Sequence, residues 1–148
     1  MLFDQISEDI KAAMKARDKV RLDTLRNIKK VFLEAKTAPG ANDTLEDADA
    51  LKIIQKLAKQ GREAAATFVA NGRQDLADED MAQVAVMEEY LPKALSAEEI
   101  EKIVKDIITQ VGATSMKDMG KVMGLASKQM AGRAEGGVIS GVVKKLLA

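Results

Sequence analysis

The chain has 148 residues, enough for one domain or two small ones; if compact, it can bury about 68–70% of its unfolded surface. Charged residues make up 31% and apolar residues 47%, which excludes a disordered chain, while aromatics at 3% leave the core to Leu, Ile, Val, Ala and eight Met. The net charge is zero, and the chain holds neither Cys nor His, so disulfides, thiolate chemistry and the commonest general base and metal ligand are all missing.

Good helix formers dominate and β-branched alternation is lacking, so the chain reads as all-α. Phe3, Ile6, Ile10, Ala13 and Met14 keep helical spacing and predict a first helix from about residue 2 to Ala16. Asp18 caps a second, whose apolar face is Leu22, Leu25, Ile28, Phe32 and Ala35. The run Thr37 to Asp43, with Pro39-Gly40, breaks it. A third helix is expected from about Leu45 to Ala70, lined by Leu51, Ile54, Leu57, Ala58, Ala65 and Phe68 and ended by Asn71-Gly72. Gly61 inside it costs about 1 kcal/mol against Ala and signals close packing or a bend. A fourth runs from Gln74 to Tyr90 and stops at Leu91-Pro92.

Ser96 and Glu99 form a capping box for helix five, with the stripe Ile100, Ile103, Val104, Ile107 and Val111 and Gly112 at its end. Ser115 is expected to cap helix six, striped by Met119, Val122, Met123, Ala126 and Met130. Helix seven takes Val138, Ile139, Val142, Val143 and Leu146. The expected architecture is an N-terminal four-helix bundle-like domain over 1–93 and a small three-helix domain over 94–148.

Charge is unevenly spread. Residues 1–36 carry a surplus of three positive charges, 37–111 a deficit of seven and 112–148 a surplus of four. Basic ends around an acidic middle fit either mutual docking of the segments or two cationic surfaces for a polyanion. At about 100° per residue, Lys117, Lys121 and Lys128 fall within about 40° of one another, beside Gly120, Gly124 and Ala131. A cationic stripe next to bare backbone suits a phosphate chain, or a helix packing tightly on a neighbour. No aromatic lies in this segment, so RNA would be held by backbone shape and charge rather than stacking.

Several stretches are most specific in combination: Ala13 to Arg26, Gly72-Arg73-Gln74-Asp75-Leu76, Tyr90-Leu91-Pro92, Met119 to Gly124, and Gly132-Arg133-Ala134-Glu135-Gly136. In this order and spacing the chain resembles the YqeY-like family across nearly its whole length. Its C-terminal helices also resemble the tail domain of the B subunit of glutamyl/aspartyl-tRNA amidotransferase. The resemblance implies a helical bundle followed by a small helical domain, and a tRNA-handling surface. It does not carry over the amidation reaction, because the cradle domain and the glutaminase subunit have no counterpart here. Glu135 departs from the usual Gly-Arg-Ala-Asp-Gly pattern and is a poorer helix cap than Asp.

The residues expected to meet nucleic acid are Lys117, Lys121, Lys128, Arg133, Lys144 and Lys145. Arg133, in a glycine-flanked loop, either reaches a phosphate in bidentate fashion or ties the loop to a helix through a carboxylate or carbonyls. The lysines otherwise read as a solvated face. Lys19, Arg26 and Lys30 share a face of helix two, while Arg21 projects towards the apolar side, with Asp75, Asp78, Glu88 and Glu89 as candidate partners; these cations read as a structural ion pair or, alternatively, as an RNA contact. Structural roles are expected for Gly120, Gly124, Gly132, Glu135, Gly136, Arg21, Arg26, Gly72, Arg73 and Asp75. Asp78-Glu79-Asp80 and Glu88-Glu89 are clustered acids, but adjacent helical residues point apart, so neither a metal site nor a catalytic set is expected, and no cofactor.

The expected function is a non-catalytic accessory module that binds tRNA or a tRNA–protein complex of aminoacylation or amidation. The alternatives are a protein–protein adaptor and, by family association alone, a carbon–nitrogen ligase with glutamine as amido donor. The acidic start and the lack of a run of ~20 apolar residues set the cytoplasm, and no membrane, as the expectation.

Overall fold

The computed structural model describes residues 1–148. It contains α1 (Leu2–Ala16), α2 (Lys19–Lys36), α3 (Asp47–Ala70), α4 (Gln74–Glu88), α5 (Ala97–Val111), α6 (Met119–Gln129) and α7 (Gly136–Leu147), with a 3-10 turn over Met116–Asp118. There are no strands, and the chain divides into two compact units, Met1–Leu91 and Pro92–Ala148.

The first unit is a four-helix bundle. Ile6 and Ala13 of α1, Leu25, Ile28 and Phe32 of α2, Ala50, Ile54 and Ala58 of α3, and Val84, Val86 and Met87 of α4 form one core. Met14, expected on the apolar stripe of α1, is exposed. It lies about 80° round the helix from Ile6, at the margin of the buried face. Asp18 caps α2 by accepting the Arg21 N–H. Leu45 stands just ahead of α3, which begins two residues later than expected, and shares the core with Ala50 in the arrangement of a hydrophobic staple. α3 and α4 approach closely at Gly61, where a Cβ would sit 2.6 Å from Val84 Cγ2.

The second unit is a three-helix bundle around Ile100, Val104 and Ile107 of α5, Val122, Ala126 and Met130 of α6 and its end, and Ile139, Val143 and Leu147 of α7. Ser96 Oγ accepts the Glu99 N–H and donates to Glu99 Oε1, which opens α5. Helix six departs from expectation. Ser115 caps the 3-10 turn, accepting from Lys117 N, and α6 begins only at Met119. Asp118 Oδ2 accepts the Thr114 N–H, tying the end of this turn back to its start.

Candidate nucleic-acid interface

Gly132, with φ 75°, lets the chain leave α6 in a conformation that favours glycine, and a short turn leads into α7. Within that turn the backbone of Arg133 is fixed at both ends. Its N–H donates to Met130 O at 2.9 Å, and its carbonyl accepts the Leu95 N–H at 2.9 Å. The fixed loop thus presents a half-buried arginine whose guanidinium joins no ion pair. Glu135 is the N-terminal cap residue of α7, without a side-chain cap hydrogen bond, as the replacement of the usual Asp implies.

Lys121 and Lys128 are exposed on α6, seven residues apart and so within about 20° of one another. Lys117 does not belong to this stripe as a helical neighbour, because it sits in the 3-10 turn ahead of α6. Lys144 and Lys145 are exposed in the last turn of α7, where the helix dipole also favours cations. None of these five lysines takes part in an ion pair, in contrast to Lys105 of α5, which pairs with Glu101 at 3.2 Å.

The glycines beside these lysines face open space. A Cβ at Gly120, Gly124, Gly136, Gly137 or Gly141 would meet nothing within 4 Å, so neither packing nor backbone conformation within the chain requires glycine there. Gly120, Gly124 and Lys128 follow one another at four-residue steps on α6, and Gly137, Gly141 and Lys144 form a similar row on α7. The sequence reading does not single out the row on α7, although its i, i+4, i+7 spacing is the signal that carries it.

The other motif residues are occupied internally. Arg21 Nη2 donates to Glu89 Oε2 at 2.7 Å, and its Nε lies 3.6 Å from Asp18 Oδ2. The hydrogen bond to Glu89 holds the Arg21 guanidinium still further above its ordinary range. Beside it the Tyr90 hydroxyl donates to Asp9 Oδ2, and Asp9 Oδ1 accepts from Gln5 Nε2. Half-burial, then the Asp9 carboxylate, pushes the Tyr90 hydroxyl well above its ordinary value of 10.0. A small cavity of about 280 Å³ lies between Asp9, Ala12, Arg21, Glu89 and Tyr90. Gly72 turns the chain with φ 74°, and Arg73 then closes on Asp75 through hydrogen bonds of 3.1 and 3.0 Å, which keep the Asp75 carboxyl below its usual range. Arg26 is exposed and outside every ion pair.

The acidic runs do not converge. No group of three carboxylates comes together in a way that could hold a metal ion, and Glu88 and Glu89 pair with separate arginines, Arg62 and Arg21. No helix is long and apolar enough to cross a membrane.

Among known proteins, the family model described as Yqey-like protein matches residues 3–147. Three relatives share the name "altered inheritance of mitochondria protein 41, mitochondrial". That of Kluyveromyces lactis is 29% identical over 109 residues, covering 72% of this chain and 58% of the relative. That of Vanderwaltozyma polyspora is 29% identical over 124 residues, or 77% and 64%. That of Pyrenophora tritici-repentis is 26% identical over 136 residues, or 90% and 74%. The matched part of the chain thus spans about three fifths of the length of the first two. Their names correct the cytoplasmic expectation, because all three are mitochondrial proteins by name. That expectation rests on the character of the first residues, and a match to part of a longer relative leaves those residues uninformative about compartment.

Proposed function

Because the chain belongs to the YqeY-like family, we propose that it is a non-catalytic accessory module that binds tRNA or a tRNA–protein complex through the basic helices of its second unit. The observation that carries this reading is the set Lys117, Lys121, Lys128, Arg133, Lys144 and Lys145, six cations on one small unit and none of them in an ion pair. Cations left without counter-charges release counterions from a phosphate backbone when it arrives, which drives association at low salt. The exposed glycines of α6 and α7 support the same reading, since bare backbone lets a phosphate chain come close to the lysines. On this view residues 94–148 are the amidotransferase-tail-like part of the molecule, and Arg133 is its fixed contact.

The test is binding of total tRNA by the purified chain and by a Lys121→Glu/Lys128→Glu variant. At low salt the variant should bind at least about ten-fold more weakly, since each neutralised phosphate contributes to the salt-dependent term. Equal affinity of the two proteins defeats the reading. One observation favours a protein adaptor instead: Met116, Leu125 and Val138, exposed to 45, 40 and 48%, stand among the same lysines and glycines. Recovery of a stoichiometric protein partner after nuclease treatment, with tRNA affinity absent, would favour that reading.

A further inference from the structure

The run from Lys15 to Lys36 holds eight basic residues against three acidic ones, and tRNA binding by the second unit makes no use of it. Two of the eight are engaged: Arg21 pairs with Glu89, and Lys36 Nζ lies 4.1 Å from the Phe3 ring centroid. Lys29 sits more loosely over the same ring, at 6.0 Å. Lys15, Arg17, Lys19, Arg26 and Lys30 are exposed and form no ion pair. Acids stand at pairing distance in sequence, Asp23 four residues after Lys19 and Glu34 four after Lys30, yet neither pair forms. In both cases the acid is C-terminal to the lysine, the weaker orientation on a helix, and Asp23, three residues before Arg26, does not pair with it either.

Their placement is linear. Lys19, Arg26 and Lys30 lie within about 40° of one another on α2, and at 1.5 Å per residue they extend over about 16 Å. Arg17 precedes them in the α1–α2 turn, where it adopts a left-handed conformation with φ 57°. A position of that kind usually falls to Gly or Asn, so a solvent-facing arginine there is held against its backbone preference. Further along, Arg26, Lys29 and Lys30 border an open concavity of about 390 Å³ with Leu33, Glu34 and Thr37. Leu33 is the only large apolar side chain among these lining residues. A docking helix or an acidic amphipathic segment would call for anchors repeating at i, i+3, i+4 and i+7, and this face has none. A phosphodiester strand needs only spaced cations and room to lie down.

We propose that the outer face of α2, with Arg17, Lys19, Arg26 and Lys30, is a second RNA phosphate-backbone surface, separate from the cations of α6 and α7. Its ligand class rests on the function proposed for the second unit, but its residues are its own.

The experiment measures total-tRNA affinity across a salt series for five proteins: wild type; Lys19→Glu/Arg26→Glu/Lys30→Glu; Lys121→Glu/Lys128→Glu; the two combined; and Lys52→Glu/Lys56→Glu/Lys102→Glu as a control with the same charge change on exposed lysines elsewhere. Helical content is followed for each. The expected result is a loss of at least about ten-fold at low salt for the α2 variant, with a salt slope shallower by about two to three. The control should stay within about three-fold of wild type. An α2 variant that binds tRNA with wild-type affinity and slope overturns the proposal, whatever the α6 variant does. A control that weakens as much as the α2 variant also overturns it, because net charge alone then explains the effect. Unchanged tRNA binding with lost binding of polyglutamate would assign the face to acidic protein and overturn it too. Loss in the α2 variant beside normal binding in the α6 variant would uphold this surface and defeat tRNA binding by the second unit.

Discussion

Arg73 and Arg133 each follow a glycine of positive φ and precede an acid two residues on, but only Arg73 folds back onto its own acid. Both backbones are held at each end: Arg73 N–H donates to Phe68 O at 2.8 Å and its carbonyl accepts the Ala77 N–H at 3.1 Å, both near neighbours in sequence. Arg133 is held through its backbone by Met130 and by Leu95, which is distant in sequence. This contrast is not legible in sequence, because a short Gly-Arg-x-acid pattern says nothing about backbone partners 38 residues away. The Arg21–Glu89 pair is partly legible: a half-buried arginine requires an acid, and Glu89 is among four that could reach. The Tyr90–Asp9 bond beside it is not, since it joins residues 81 apart. Tyr90→Phe should cost about 1.5–3 kcal/mol at neutral pH, the worth of one hydrogen bond to a charged group. Because the folded state pushes the Tyr90 hydroxyl up from 10.0, the associated stability is full below that pH and disappears as pH climbs through the raised folded value. Denaturant unfolding of the two proteins from pH 8 upwards should therefore show the gap between them closing above pH 10.0; a gap that stays constant there would contradict the assignment.

At the scale of elements, helix identities follow from the 3.6-residue period of Leu, Ile, Val and Ala, and the core of each unit is drawn from those stripes. Boundaries are less legible. Ser115 reads as a helix cap, but Asp118 captures Thr114 N and sets a 3-10 turn first, which removes Lys117 from the α6 stripe. The glycines divide into two kinds that sequence alone does not separate. Gly61 packs against Val84, a buried β-branched side chain whose methyl has nowhere to go. Overpacking there costs about 1–3 kcal/mol against a gain of about 1 in helix propensity, so Gly61→Ala should lower stability by about 1 kcal/mol. Gly124→Ala and Gly141→Ala meet open space and should each raise it by about 0.5–1 kcal/mol. Thermal unfolding checks all three. If bare backbone serves binding, the stabilised double variant should also bind tRNA more weakly, and a gain in stability with unchanged affinity would show that the glycines play no part in it.

For the whole molecule, a net charge of zero conceals two basic stretches around an acidic one. Part of the acidic excess is taken up by ion pairs in the first unit, at Arg21, Arg62 and Arg73. In the second unit Lys105 pairs with Glu101, but Lys117, Lys121, Lys128, Arg133, Lys144 and Lys145 find no such partners, which the sequence suggests by segment charge but does not resolve residue by residue. Phosphate binding by those cations is tested most directly by the salt dependence of total-tRNA binding, for the wild type and for Arg133→Glu/Lys121→Glu. The expected result is a linear fall of log affinity with log salt in the wild type. In the variant the slope should be shallower by about two, taking about 0.9 for each phosphate no longer neutralised, the B-form duplex figure. Wild-type binding without salt dependence, or a variant with the same slope and affinity, would contradict it.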